Sequence, residues 1–280
     1  MTIKQVCAVY FSPVGGTEHV VRTIAEEASR CLSVLQKDID FTTTDARQKA
    51  GEGGFSFDGE TLVVFGTPTY AGRVPNKVLP FVQELFHGND TPAIAVTTFG
   101  NRSFDSSLTE LTQELNQNGF RVFAAVSQVC RHVFSPDKLA PGRPDEADLE
   151  ALRAFARKAC DKLRRAEDTD TLQTPVIRDG APVAPYYTPL GTDGKPAVFL
   201  KAKPKTDEDK CIHCRICVEA CPMGSIDDDC TTVSGICIKC QACVRKCPTE
   251  AKYFDDAAFL SHVMMLEANY TRRAESGLYG

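Results

Sequence analysis

The chain has 280 residues, a formal net charge of -5 and 42% hydrophobic residues. This length fits one full-sized domain and a second, small one, and the hydrophobic content is enough for a sizeable core. The acidic balance provides no basic patch, so we expect no nucleic-acid partner. No apolar run approaches the roughly 20 residues of a transmembrane helix, and the start of the sequence lacks a signal-peptide pattern. Together with the 13 cysteines, this predicts a cytoplasmic protein without a membrane span.

The first predicted elements are a buried parallel strand over residues 6–11 and a helix with apolar residues at helical spacing over residues 20–28. Between them lies a polar turn that contains two glycines. At such a turn, backbone N–H groups and hydroxyls point to an anion at the helix N-terminus. The turn consists of Ser12, Pro13, Val14, Gly15, Gly16 and Thr17.

Further strands are predicted at 61–66, 93–98 and 120–129, with a weaker edge strand somewhere in 33–41. A helix over 145–165 follows the last of them, with acidic residues at its start and arginines at its end, as the helix dipole favours. The alternation of strands and helices predicts an α/β fold, a doubly wound five-stranded parallel sheet with strand order 2-1-3-4-5.

In such a sheet, ligands bind beyond the carboxyl ends of the strands, where the strand order reverses. The turn at 12–17 and the two loops that follow the strands at 61–66 and 93–98 are all predicted to lie there. The residues of these two loops that we predict to bind a cofactor are Pro68, Thr69, Tyr70, Ala71, Gly72, Thr98, Phe99, Gly100, Asn101 and Arg102.

The turn at 12–17 resembles the FMN-phosphate loop of flavodoxins, T/S-x-T-G-x-T. Ser12, Gly15 and Thr17 fit that pattern, whereas Val14 replaces the middle hydroxyl. The resemblance implies that the turn binds the FMN phosphate with one side-chain hydrogen bond fewer, a loss of about 1.5–3 kcal/mol. It also implies that the other two loops bracket the isoalloxazine, with Tyr70 stacked on the ring and Phe99 as the alternative.

Prolines punctuate residues 169–203, a stretch with little periodicity that we interpret as a semi-rigid linker. The stretch also contains apolar residues such as Ile177 and Phe199. We therefore expect it to lie across the α/β domain and to fix the position of the segment that follows.

Two copies of the pattern C-x-x-C-x-x-C-x-x-x-C-P follow this linker. This pattern binds [4Fe-4S] clusters, and the fourth cysteine of each copy ligates the cluster of the other copy. The sequence therefore predicts two clusters and a small α+β domain that resembles bacterial two-cluster ferredoxins. The predicted ligands are Cys211, Cys214, Cys217 and Cys247 for one cluster, and Cys237, Cys240, Cys243 and Cys221 for the other.

Two other interpretations of these cysteines are a pair of zinc sites and a disulfide framework. Zinc ligands usually form two well-separated pairs, whereas each copy here offers three cysteines in a row and a fourth. Disulfides need an oxidising compartment and are typical of short secreted chains. The spacing favours clusters. The cysteines outside the repeat that we interpret as packing residues or non-ligands are Cys7, Cys31, Cys160 and Cys230.

The whole chain resembles a family of fused flavodoxin-ferredoxin proteins from anaerobes. The predicted boundaries are 1–168 for a flavodoxin-like FMN-binding domain, 169–203 for the linker, 204–256 for the ferredoxin domain and 257–280 for an amphipathic C-terminal helix and tail. The helix is predicted to pack its apolar residues against its own chain. The implied cofactors are FMN and two [4Fe-4S] clusters.

Iron-sulfur clusters pass single electrons and a flavin holds one or two, so the combination predicts an electron-transfer flavoprotein of the oxidoreductase type. The expected donor is an external low-potential carrier such as ferredoxin or a ferredoxin-reducing enzyme, and the acceptor is a partner protein or a small oxidised molecule. No G-x-G-x-x-G follows a strand, which argues against a direct NAD(P)H dehydrogenase.

Two hypotheses remain open at this point. In the first, the protein is a carrier or adaptor whose flavin is covered by its own loops. In the second, it is a reductase of a small molecule fed by ferredoxin through its own clusters, with an open pocket over the ring. The candidate catalytic residues are Tyr70, Arg102, Cys130 and His132, and nothing in the sequence marks His19, His87 or His262 as catalytic.

Overall fold

A computed structural model describes residues 1–48, 51, 53–177 and 182–280 of the chain. Residues 178–181 of the predicted linker lie outside the described residues. The elements in chain order are β1 (Gln5–Tyr10), α1 (Gly16–Leu32), β2 (Leu35–Asp40), α2 (Thr44–Gln48), β3 (Phe55–Phe57), β4 (Thr61–Pro68), α3 (Leu79–Leu85), β5 (Phe86–Gly88), β6 (Thr91–Phe99), α4 (Ser107–Gln117), β7 (Phe120–Val129), α5 (Glu146–Arg165), a short 3-10 helix (Thr169–Thr171), β8 (Lys205–Thr206), α6 (Ile216–Glu219), α7 (Ala242–Arg245), β9 (Lys252–Tyr253), α8 (Ala257–Asn269) and β10 (Gly277–Tyr279).

The described residues form a central six-stranded sheet with the order β10-β7-β6-β4-β1-β2. Strands β2, β1, β4, β6 and β7 are parallel to one another. Counted along the chain, these five strands have the order 2-1-3-4-5, which is the flavodoxin-like arrangement. The predicted fold class is confirmed, and the weakly patterned second strand lies at the edge of the parallel strands.

Both faces of the parallel sheet are buried, which explains the apolar runs in its strands. In β1, Cys7 and Val9 belong to a core on one face, together with residues of α3 and α4. Val6 and Ala8 belong to a second core on the other face, together with residues of α1 and α5. The strands β1, β4, β6 and β7 are therefore hydrophobic without alternation, whereas the edge strand β2 is mostly polar and exposed.

The sixth strand corrects the predicted five-stranded sheet. β10 pairs antiparallel with β7, with Gly277 opposite Ser127 and Tyr279 opposite Ala125. The sequence pattern predicts only a helix and a tail for residues 257–280, because three residues are too few to show strand alternation. The C-terminus is thus part of the flavodoxin-like sheet. The sequence pattern also does not predict β3 and β5, which pair with each other in parallel.

The cysteine-rich segment forms a small unit of short elements. β8 and β9 pair antiparallel, and the one-turn helices α6 and α7 each contain the third cysteine of one repeat copy. The following helix, α8, buries Phe259, His262, Met265 and Leu266. This unit and α8 both contact the flavodoxin-like part, as described below. Among the described residues, no helix is both long and apolar enough to cross a membrane.

Candidate functional site

A cavity of about 250 Å³ lies at the carboxyl ends of β1, β4, β6 and β7, where the strand order reverses. We call it the switch-point cavity. Its lining includes most of the residues predicted to bind a cofactor: Ser12, Pro13, Val14, Gly16, Thr17, Pro68, Thr69, Tyr70, Ala71, Gly72, Thr98, Phe99, Gly100 and Arg102. The structure therefore brings the three predicted loops together around one space.

Two residues of the predicted set, Gly15 and Asn101, do not line this cavity. Gly15 is the N-cap of α1, and its φ of 86° is a left-handed conformation that glycine adopts readily. Asn101 is buried, and its side-chain amide donates to the carbonyls of Tyr270, over 2.5 Å, and Arg272, over 2.7 Å. Asn101 thus holds the C-terminal segment rather than facing the cavity.

The turn at 12–17 has the chemistry of a phosphate site. The first N–H groups of α1 have no acceptor within the helix, and the positive end of the helix dipole lies there. The Ser12 hydroxyl oxygen accepts the N–H of Glu18 over 2.9 Å, and the Thr17 hydroxyl lies 2.8 Å from that of Thr98. These contacts fix two hydroxyls at the cavity wall, so the turn fits the phosphate of FMN.

Val14, which replaces a hydroxyl of the flavodoxin pattern, has a packing role. Val14 and Tyr70 pack against Ala220, Cys240 and Ala242 of the cysteine-rich unit. The remaining surface of both side chains lines the switch-point cavity. They therefore form the wall between the cavity and the second cysteine motif.

Two further cavities are lined by the cysteines of the repeat. Cys211, Cys214, Cys217 and Cys247 line one of them, together with Cys230, and we call these four ligand candidates the distal set. Cys221, Cys237, Cys240 and Cys243 line the other, and we call them the proximal set. Each cavity is thus lined by three cysteines of one copy and by the fourth cysteine of the other copy. This is the exchange that the sequence predicts.

Backbone N–H groups point at the cysteine sulfurs, as is usual around iron-sulfur clusters. The N–H groups of Ser225 and Lys239 donate to the sulfurs of Cys221 and Cys237 over 3.3 and 3.4 Å. Within the described ranges, no three His, Cys, Asp or Glu side chains converge on a single-ion site. The cysteines instead surround cavities, which fits a cluster with several metal ions.

The proximal set adjoins the switch-point cavity. Ile238 and Lys239, which lie between Cys237 and Cys240, line that cavity themselves. No residue of the distal set is among its lining residues in the described chain. The distal set lies towards the surface instead, since Cys214 is exposed and Ile212 is 62% exposed.

The linker and α8 close another side of the switch-point cavity. The N–H of Tyr187 donates to the carbonyl of Ala71 over 2.8 Å, and the Arg102 guanidinium lies 3.9 Å above the Tyr187 ring. Sequence reasoning missed these lining residues, because the linker and α8 show no cofactor motif. The missed lining residues from these segments are Tyr187, Pro189, Phe199, His262 and Leu266.

Two histidines line the cavity with opposite hydrogen-bonding roles. The Phe134 N–H donates to His132 Nδ1 over 3.2 Å, so this nitrogen carries no proton and the ring is a neutral Nε2–H donor. Nδ1 of His262 lies 2.8 Å from the carbonyl of Leu190, so it is the donor of that bond. Burial, His262 and Arg102 lower the pKa of His132 to about 4.

Two of the other catalytic candidates, Cys130 and Tyr70, lie in environments that oppose their ionisation. The third, Arg102, is held in an ion pair. Burial raises the pKa of the Cys130 thiol to about 12, with a smaller contribution from Asp148. Burial and the neighbouring cysteines Cys240 and Cys237 raise the pKa of Tyr70 well above its ordinary value. Arg102 forms an ion pair with Asp105. All four candidates line the cavity, and His132 packs so closely that a Cβ on Gly100 would lie 2.3 Å from its Cδ2.

Comparison with known families matches two segments of the chain to 4Fe-4S binding domains, at residues 204–227 and 234–250. No curated protein matches the chain.

Among solved structures, similar ones include a flavodoxin from the domain Archaea, with 14% identity over 57% of this chain and 99% of that chain and a TM-score of 0.41. Flavodoxin 2 from Bacillus cereus has 19% identity over 57% of this chain and 99% of its own, with a TM-score of 0.37. Rubredoxin oxygen:oxidoreductase from Desulfovibrio gigas has 19% identity over 59% of this chain and 38% of its own, with a TM-score of 0.37.

The strand order and the two family matches describe the two parts of the chain independently. The chain therefore joins an α/β domain with the flavodoxin-like strand order to a C-terminal segment that matches 4Fe-4S binding domains twice.

Proposed function

We propose that the protein carries low-potential electrons between two [4Fe-4S] clusters, held by the distal and proximal sets, and an FMN bound in the switch-point cavity. It acts as an adaptor between one-electron and two-electron redox partners. When bound, the clusters would pass single electrons and the flavin would hold one or two. The observation that supports this proposal most strongly is the shared wall, in which Val14 and Tyr70 contact both the cavity and the proximal set.

The placement of the two cysteine sets supports an order for the carriers. The distal set lies towards the surface and the proximal set adjoins the cavity, so an external donor would meet the distal set first. We propose ferredoxin or a ferredoxin-reducing enzyme as this donor. We propose that neither NADH nor NADPH is a direct electron donor.

The cover over the cavity supports the carrier rather than the reductase. Tyr187 from the linker and His262 from α8 line it together with the loops of the sheet. Its volume of about 250 Å³ lies just below the range that is usual for ligand sites, about 300–1,000 Å³. This leaves little space for a substrate beside the cofactor.

The acid–base chemistry of the cavity supports the same choice. An efficient general acid has a pKa near the working pH. His132, with a pKa of about 4, and Cys130, with a pKa of about 12, are both far from neutrality. The reductase hypothesis needs a proton donor for its substrate, and these two candidates do not provide one at pH 7.

An anaerobic titration of the holoprotein tests the proposal, with iron and FMN counted in the same sample. We expect about eight irons per chain, four for each cluster, and FMN reduction by reduced ferredoxin but not by NADH. Rapid bleaching by NADH alone would contradict the donor assignment, and an iron content near half of the expected value would contradict the two clusters.

The matched variants are Tyr70→Ala and Tyr70→Phe. Tyr70→Ala removes the ring that joins the cavity to the proximal set, so we expect slower FMN reduction by ferredoxin with unchanged iron content. Tyr70→Phe keeps the ring and is expected to retain the wild-type rate. Turnover of small oxidised molecules at the rate of electron input would favour the reductase instead.

A further inference from the structure

The two copies of the cysteine motif have the same backbone geometry at equivalent positions. Arg215 and Gln241, each directly after the second cysteine of its copy, both have a φ of 64°. Gly224 and Glu250, each three residues after the last cysteine, have φ values of 57° and 54°. The repeat is therefore structural, and residues can be compared position by position between the copies.

The end of each copy shows the same agreement. In both, the amide four residues after the last cysteine donates to the sulfur of that cysteine, over 3.3 Å to Cys221 and 3.2 Å to Cys247. The next residue is Ile226 in the first copy and Lys252 in the second. Ile226 lines the cavity of the proximal set, and Lys252 lines that of the distal set. The repeat thus places an isoleucine beside one metal site and a lysine beside the other.

Lys252 is as buried as its apolar counterpart. It is 3% exposed, and Ile226 is 5% exposed. The Lys252 ammonium donates to the hydroxyl of Thr206 over 2.7 Å, and in the part of the chain that the structure describes it forms no ion pair with a carboxylate. Its charge acts on Cys217 of the distal set and on Cys243 of the proximal set.

A buried ammonium with one neutral hydrogen-bond partner is destabilising unless an opposite charge lies nearby. A cluster with four thiolate ligands supplies negative charge, and its reduction adds one electron and so one more negative charge. The net charge around a cluster is one of the factors that set its reduction potential. A cation beside the distal set therefore favours the reduced state of that site.

We propose that Lys252 is a built-in counter-charge for the distal set, which raises the reduction potential of that site above the value that the isoleucine of the other copy would give. The proposal rests on the two-cluster assignment made above. It makes the two halves of a near-symmetrical repeat electrostatically different through a single side chain, and it gives the outer site a higher affinity for an incoming electron.

An anaerobic redox titration of the full-length holoprotein, followed by electron paramagnetic resonance, tests the proposal. In Lys252→Ile we expect one cluster step to move to lower potential, with the reduced-to-oxidised ratio at fixed potential falling about tenfold, which is about 59 mV for one electron. The step of the other cluster is expected to move less. Lys252→Arg keeps the charge and is expected to leave both steps near their wild-type values.

If Lys252→Ile does not assemble its clusters, Lys252→Gln replaces it in the titration, because glutamine removes the charge but keeps a polar side chain. The same downward shift in the reduction potential is expected. Ile226→Val, at the equivalent position, is the matched control and is expected to shift neither step. Unchanged potentials in both neutral variants with full iron content would overturn the proposal, and so would equal shifts of both steps. Iron content is measured separately in each sample. A low iron content in the wild-type protein would contradict the two-cluster assignment, whereas unchanged potentials at full iron content would contradict only the role of Lys252.

Discussion

At the scale of single residues, the switch-point cavity presents a neutral histidine with a fixed donor role. His132 accepts a backbone N–H at Nδ1, so protonation of the ring would break that bond. Its packing against Gly100 places the ring on the loop that is predicted to bracket the flavin. The residue therefore offers a constant hydrogen-bond donor rather than a group that exchanges protons near neutral pH.

The lowered pKa of His132 gives a prediction for stability against pH. The pKa is about 4 in the folded protein and about 6.5 in an unfolded chain. Between these values the unfolded chain binds more protons, so stability falls as the pH falls through this window and is fully present above pH 6.5. His132 alone accounts for on the order of 3 kcal/mol between these limits. We expect His132→Asn, whose oxygen can still accept the Phe134 N–H, to reduce this pH dependence.

The measurement is the apparent melting temperature by circular dichroism under argon, at pH 7 and pH 5. His87 is exposed, and His87→Asn is the control that should leave the pH dependence as in the wild type. An unchanged pH dependence in His132→Asn would show that folding does not lower the pKa of His132.

At the scale of elements, the best-predicted parts are the parallel strands and their loops. Strands β1, β4, β6 and β7 are buried on both faces, so their apolar runs are visible in the sequence without any knowledge of their neighbours, whereas the edge strand β2 is largely exposed. Three of these loops then converge because parallel strands end at one edge of the sheet. The cysteine spacing likewise predicts the linings of the distal and proximal sets, since the two copies of one short motif contain all eight ligand candidates.

The missed features depend on contacts between distant parts of the chain. Tyr187 binds the loop at Ala71, and Asn101 binds the carbonyls of Tyr270 and Arg272. Such contacts leave no periodic pattern in either segment. β10 is three residues long and is defined by its pairing with β7, so its own sequence does not predict it. For the same reason, the sequence does not predict the residues of the linker and α8 that line the switch-point cavity.

Asn101 provides a prediction that separates anchoring of the C-terminal segment from cofactor binding. Asn101→Ala removes the side-chain donor of the Tyr270 and Arg272 carbonyls, at a net cost of about 0.5–1.5 kcal/mol for each hydrogen bond lost. We expect faster hydrogen exchange in β10 and at its partner residues in β7, whereas FMN affinity changes little because the side chain does not line the cavity. Hydrogen exchange and FMN titration measure the two effects.

The control is Asn269→Ala, which alters an exposed asparagine on α8. It should change neither exchange in β10 nor FMN affinity. A large loss of FMN affinity in Asn101→Ala, with unaltered exchange in β10, would restore Asn101 to the cofactor-binding set.

At the scale of the whole molecule, Arg47 joins the flavodoxin-like part to the cysteine-rich unit. It is 8% exposed, and its guanidinium donates to the carbonyls of Thr42, over 2.8 Å, and Pro222, over 2.5 Å. Pro222 directly follows Cys221 of the proximal set. From the same unit, Arg245 donates to the carbonyl of Val133, which lines the cavity. These contacts fix the proximal set against the sheet.

Arg47→Met is expected to loosen this junction, because it leaves buried carbonyls unpaired at about 1–3 kcal/mol each. We expect a lower apparent melting temperature and faster proteolysis of residues 182–203. Arg47→Lys keeps the charge but lacks the planar fork that reaches several carbonyls, so we expect an intermediate effect. Wild-type melting and cleavage in Arg47→Met would show that the junction does not depend on this residue.

The position of Ile238 and Lys239 in the wall of the switch-point cavity has a thermodynamic consequence. These residues belong to the loop that also carries Cys237 and Cys240, so the conformation of one loop affects both cofactor sites. If metal loading of the proximal set fixes the loop in the shape that completes the cavity, it raises the affinity for FMN. By linkage, FMN then raises the affinity for the metal by the same factor. In that case the two cofactors would be mutual effectors, and assembly of the holoprotein would be cooperative.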